Sequence, residues 1–190
     1  MRTLFVTAYN TFISRNLFNT DVFAILRREK DLRIVVFCPP HKKDFFSEQY
    51  GSAQVIFEGL DMEPVIRSRW SKAWYRMAFL LEDTQYVRDQ RRERLERHKN
   101  LWGRLNYIRV SIIAFCATRV PLLRYLYRVA DQWFCYDASC QKYFETYHPQ
   151  ALFVADAFGE IDIFFLKEAR RRGVPVMSMV LSWDNTTTKG

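Results

Sequence analysis

Three short apolar runs near the amino terminus, each cut off by polar or turn residues, restrict the fold of this chain more than any other feature. Leu4 to Thr7 ends at the loop Ala8-Tyr9-Asn10-Thr11, Ile34 to Cys38 at Pro39-Pro40, and Val55 to Phe57 at Glu58-Gly59. Runs of this length with no polar alternation are what strands buried on both faces require. Between the first two, Phe18, Val22, Ile25 and Leu26 recur at helical spacing. They predict a helix with those four side chains inward, capped by Ser14 or Thr20 and closed by Arg27, Arg28 and Lys30. Phe45, Phe46 and Tyr50 predict a second, shorter helix ending at Gly51. The order is βαβαβ, which belongs to a parallel sheet.

The same grammar returns at the other end. Ala151 to Ala155 reads as a strand, Asp156 to Gly159 as a loop, and Glu160 to Arg172 as a helix with Ile161, Phe164, Phe165 and Ala169 inward. Gly173 suits the left-handed residue after a helix, and Pro175 blocks further helix. A buried strand is then expected from Val174 to Leu181 before the chain turns polar at Ser182. The fold class expected is therefore α/β, a Rossmann-like doubly wound parallel sheet of about five or more strands. Residues 1–190 read as a single domain, with a long helical insert at about 67–148.

Within that insert, Trp70, Trp74, Met77 and Leu81 fall three or four apart, and Val87 to Lys99 alternates arginines with acids. The arginine helix reads either as a solvated face with internal ion pairs or as a face for anions or a membrane surface. Leu105 to Ala117 reads as a core helix, and Pro121 to Tyr147 as one long helix stopped by His148-Pro149.

Charge and composition narrow the partners. With 49% apolar residues the chain can bury a core, and 29 Lys plus Arg against 21 Asp plus Glu give a net charge of +8. That favours nucleic acid, anionic lipid or a phosphorylated small molecule. Cys38, Cys116, Cys135 and Cys140 lack paired spacing and read as reduced thiols, so no metal site is expected. No glycine lies between the first strand and first helix, which argues against a dinucleotide cofactor; none is expected. The amino terminus has no secretory pattern and no apolar run approaches the roughly 20 residues of a spanning helix, so a cytoplasmic location is expected.

Two strands end on acids, Asp156 and Asp184, and the first ends near Asn10. In a parallel sheet these tips share one edge, where open α/β sheets bind ligands. Ser14, Glu160, Asn185, Thr186 and Lys189 lie close by in sequence. Asp184 or Asp156 is the candidate general base for an acceptor hydroxyl, and Lys189 suits a phosphate. Asp at a strand tip also commonly caps the next helix or turn, and Trp183 is either a core lid or a stacking platform for a sugar ring or base. The histidines, His41, His98 and His148, form no catalytic constellation.

The segment Glu168-Ala169-Arg170-Arg171-Arg172-Gly173-Val174-Pro175-Val176, leading into Ser182-Trp183-Asp184-Asn185-Thr186-Thr187-Thr188-Lys189-Gly190, resembles the amino-terminal half of GT-B glycosyltransferase-like proteins of the bacterial surface-polysaccharide type. The opening strand, its polar loop and the helix Phe12 to Arg28 are similar too. The resemblance covers both ends of the chain, and Ser182-Trp183-Asp184-Asn185 followed by Thr, Lys and Gly is its most specific motif. It implies an acceptor-binding domain with Asn10 and Ser14 on the acceptor side and Asp184 to Lys189, Asn185 and Thr186 among them, facing an interdomain cleft; Trp183 joins these as a candidate substrate contact on the stacking reading. A second Rossmann-like domain, absent from this sequence, would bind the nucleotide-sugar, and no turnover is expected without it or a partner chain that supplies it. The acceptor implied is a sugar or lipid-linked sugar for cell-surface polysaccharide or glycolipid synthesis. An enzyme of this kind is expected at the inner face of the cell membrane, with Trp70, Trp74 and the arginine helix resting on anionic lipid. The alternative is a noncatalytic basic module that binds nucleic acid, anionic membrane or a protein, although no nucleic-acid motif is present.

Overall fold

The computed structural model describes residues 1–9, 16–62, 68–82, 84–97, 100–134, 138–156, 159 and 161–179. The chain opens with β1 (Arg2–Thr7), α1 (Asp21–Arg28), β2 (Leu32–Cys38), α2 (Pro40–Tyr50) and β3 (Val55–Gly59). Four helices follow: α3 (Arg69–Leu81), α4 (Gln85–Arg97), α5 (Leu101–Thr118) and α6 (Pro121–Phe134). The chain then continues with α7 (Ala138–Tyr147), β4 (Ala151–Val154), α8 (Asp162–Arg171) and β5 (Val176–Ser178). Two compact units result, one of residues 1–66 and 136–181 and one containing residues 67–135. The stretch 67–148 expected as one insert is thus divided, because α7 packs with the sheet.

The sheet is parallel throughout, in the order β3-β2-β1-β4-β5. The α/β, Rossmann-like class expected from the sequence is what the chain adopts. Period-two alternation splits the core into two layers. Leu4, Val6, Ile34, Val36 and Phe57 face α1 and α2 through Phe23 and Phe46. Phe5, Val35, Phe37, Leu152 and Val154 face α7 and α8 through Phe144, Phe165 and Ala169. Phe5 stands edge-on to both Phe37 and Phe144, at ring-centroid distances of 4.8 and 5.0 Å. Strands covered on both sides must be apolar at consecutive positions, which is why they read as uninterrupted runs.

Three packing expectations need correction. In α1, Phe23 is the buried side chain and Leu26 is partly buried, while Val22 and Ile25 are exposed. The helix begins only at Asp21, so Phe18 reaches the core from the preceding turn and the inward stripe runs through 23 and 26. Thr20 holds the N-cap position, but its hydroxyl donates to the Leu17 carbonyl instead of capping. The closing strand is not buried: all three residues of β5 are exposed, as its place at the end of the strand order allows. Residues 180–190 lie outside the described residues.

The third correction concerns the second unit. Helices α3 and α5 start on side-chain caps, with Ser68 accepting from Ser71 N–H at 3.0 Å and Asn100 from Gly103 N–H at 2.8 Å. Trp74 joins α3 to α6, stacking on Tyr127 at 5.0 Å and donating its indole N–H to Asp131 at 2.7 Å. In α4 the expected internal pairing occurs, between Arg92 and Glu96 and between Arg97 and Glu93. Helix α5, expected in the core, buries Ala114 but exposes Leu105, Ile108, Ile112, Ile113 and Phe115. Its residues are apolar around most of the circumference, and α3, α4 and α6 pack against it without enclosing it.

Candidate functional site

The strand order places a switch point between β1 and β4. Connections from β1 lead towards β2 and β3 on one side, while β4 and β5 lie on the other. The carboxyl ends of strands at such a point diverge into a crevice, where ligands bind in open α/β sheets. The described residues there are Thr7, Ala8 and Tyr9 after β1, and Ala155, Asp156, Gly159 and Asp162 between β4 and α8.

Thr7 ties the two sides together. It is fully buried, and its Oγ1 accepts the Ala155 N–H at 3.2 Å, while its hydroxyl acts on the Asp162 carboxyl. Asp162 sits in the first turn of α8 at 4% exposure. Its Oδ1 is buried with no hydrogen-bond partner among the described residues. Its Oδ2 lies over Gly159, where an added Cβ would stand 2.3 Å from it. Only a residue without a side chain permits that approach. Gly159 N–H donates to the Asp156 carbonyl at 3.1 Å, and its own carbonyl accepts Ile163 N–H at 3.2 Å, leading the loop into the helix.

Burial pushes the Asp162 carboxyl up to about 7, opposed by the Thr7 hydrogen bond and reinforced by the negative charge of Asp156. A carboxyl of this kind changes protonation near neutral pH, the property of a group that takes or gives a proton in catalysis. Beside it, the Tyr9 hydroxyl donates to the Leu60 carbonyl at 3.2 Å. Burial raises its ionisation far above the ordinary tyrosine value, with Asp162 among the charges that add to this. Tyr9 is therefore a neutral donor at any working pH.

Of the residues singled out from sequence, Asp156 lies at the carboxyl end of β4, half-buried at the switch point. Asn10, Ser14, Glu160, Trp183, Asp184, Asn185, Thr186 and Lys189 lie outside the described residues. Thr7, Tyr9 and Asp162 were not singled out. For Asp162 the signal was present: the buried stripe of α8 runs back from Ala169 through Phe165, at intervals of four and three, to an acid. An acid on an inward stripe is rarely buried without a reason.

Cys38 and Cys140 are buried free thiols and Cys116 is an exposed one, while Cys135 lies outside the described residues. Among the described residues no group of three His, Cys, Asp or Glu side chains is placed to hold a metal ion. No family model, curated protein or solved structure matches the chain.

Proposed function

We propose that this chain is the acceptor-binding domain of a glycosyltransferase-like enzyme of cell-surface polysaccharide or glycolipid synthesis, with nucleotide-sugar recognition supplied by a second domain or partner chain. The observation that carries the reading is Asp162, a buried carboxyl titrating near neutrality at the sheet's switch point, next to Asp156. Glycosyl transfer needs such a group. As the acceptor oxygen bonds to the anomeric carbon and the nucleoside diphosphate leaves with the electrons of the broken bond, the acceptor's proton must go to a base. Asp162 and Asp156 are the described candidates for it, and Asp184 keeps the same role through the resemblance. Asn10, Ser14, Trp183, Asn185, Thr186 and Lys189 are the proposed substrate contacts.

The test is an amide-resolved NMR titration of the chain with hexoses, hexosamines, short oligosaccharides and a short-chain polyprenyl phosphate. Saturable shifts at Thr7, Gly159 and Asp162, lost in Asp162→Asn, are expected with at least one acceptor. Shifts confined to basic surface residues, seen with DNA or RNA and weakening steeply with salt, would replace this reading with the nucleic-acid-binding one.

A further inference from the structure

Helix α5 offers water a stripe that its own unit leaves uncovered. Leu101, Leu105, Ile108, Ile112 and Phe115 recur at intervals of four and three residues, and each is more than half exposed. On the other side of the helix, Val110 is partly buried and Ala114 fully. A helix apolar on both faces belongs either inside a protein or in lipid. Helix α6 repeats the pattern with Leu122, Leu126 and Val129, all exposed. The two helices meet at 92°.

Charge selects the occupant. Residues 100–130 contain five arginines, Arg104, Arg109, Arg119, Arg124 and Arg128, and no acid. All five are exposed. The first acid, Asp131, is held by the Trp74 indole. This differs from α4, where glutamates pair with the arginines along the same helix. Uncovered apolar stripes with cations alone beside them match a surface that is apolar beneath and negative above, which is an anionic bilayer. No helix among the described residues is long and apolar enough to cross a membrane alone. The longest arginine-free stretch of the pair, residues 110–118, is also less than half the roughly 20 residues needed to span. Lying in the headgroup plane meets both constraints. Arg119, at the bend, lies with its guanidinium 4.5 Å over the Phe115 ring, so a cation already sits beside the apolar stripe.

We propose that α5 and α6 form a monotopic membrane anchor, their two apolar stripes set among the acyl-chain ends of an anionic leaflet and their arginines at the lipid phosphates. This moves the lipid contact from the place expected in the sequence. Trp74 is engaged in joining α3 to α6, and in α4 Arg92 and Arg97 are paired with glutamates of their own helix. The inference stands on the second unit alone and goes beyond the transferase reading, which rests on the sheet.

Flotation of the full chain with vesicles tests it. The chain should rise with phosphatidylcholine–phosphatidylglycerol vesicles and stay behind with phosphatidylcholine alone. Ile112→Ser with Phe115→Ser should lower the bound fraction by about tenfold or more. Arg124→Gln with Arg128→Gln should lower it by about tenfold and reduce its sensitivity to salt. All four side chains are exposed, so circular dichroism should match the parent, and the arginine pair decides the matter if the serine pair alters helicity. Failure of the parent to float with anionic vesicles overturns the proposal, as does unchanged flotation of both variants. A reversible dimer in sedimentation, dissolved by the serine pair in a chain that does not float, would make a second copy the occupant instead.

Discussion

Asp162 Oδ2 approaches the Cα of Gly159 so closely that a methyl group there would be 2.3 Å from the oxygen and 3.3 Å from the Asp156 carbonyl. Glycine at 159 is therefore a condition for the buried carboxyl. Gly159→Ala should destabilise the chain by about 1–3 kcal/mol, the usual range for overpacking. Adding Asp162→Ala should recover most of that cost, because the two residues share one contact. A double-mutant cycle in urea measures it, with a coupling above roughly 0.5 kcal/mol expected; additive effects would mean that the loop relaxes independently of Asp162.

Asp162 also makes stability depend on pH in a definite direction. Its folded value of about 7 lies above its ordinary 3.8, so the folded state holds the proton more tightly than the unfolded state. The contribution is complete below about 3.8 and disappears as pH rises through about 7. That interval corresponds to roughly 4 kcal/mol at most. Asp162→Asn should flatten the stability profile between pH 5 and pH 8 relative to the parent, and the variant should gain on it most at the alkaline end. Thermal denaturation of both proteins across that window checks the sign, and parallel profiles would place the titration elsewhere.

Two positions in the first third of the chain separate core from pattern. Phe5 is fully buried against Phe37 and Phe144, whereas Val22 is exposed despite its helical spacing. Phe5→Ala should cost about 3–5 kcal/mol. Val22→Ala should stay within about 0.5 kcal/mol of the parent, as surface substitutions do. Chemical denaturation midpoints distinguish them, and a large loss at Val22 would mean that α1 turns a different face to the sheet.

Gly173 ends α8 with φ at +67°, while its N–H donates to the Arg170 carbonyl at 3.2 Å and Val174 N–H to the Ala169 carbonyl at 2.9 Å. This is the Schellman arrangement, which places a left-handed residue just past the helix. A Cβ added here meets nothing within 4 Å, so substitution carries only the conformational cost. Gly173→Ala should lower stability by about 1 kcal/mol, and Gly173→Asn by less. Equal losses for the two would point to a steric effect in place of a backbone one.

The candidate site was legible only in part. Asp156 could be found because a strand tip is marked by the abrupt end of an apolar run, which is local information. Asp162 was missed as a buried acid because part of its cover comes from β1, distant in sequence, and Glu168 because its pairing with arginines lets a charge stay on the buried face of α8. Asp162 is covered where β1 brings Thr7 to it, and Glu168, at 3% exposure, is held by Arg172 and Arg171 along one face of α8. Hydropathy alone assigns both to the outside of the helix, although the spacing of Asp162 from Phe165 and Ala169 put it on the inward stripe.

What the sequence determined by itself is the succession of elements. The continuous apolar runs of β1 and β2 had to be strands covered on both faces, and Gly173 had to follow a helix, because backbone hydrogen bonding and the two side-chain periods leave a chain few local choices. Only the tertiary structure decided the order β3-β2-β1-β4-β5, and with it the meeting of Thr7, Asp156 and Asp162 at the switch point. Only it decided that one apolar stripe of α5 and one of α6 face outwards. Periodicity shows that a side chain is apolar, but burial depends on whether enough other surface is available to cover it, and that is a property of the assembled unit.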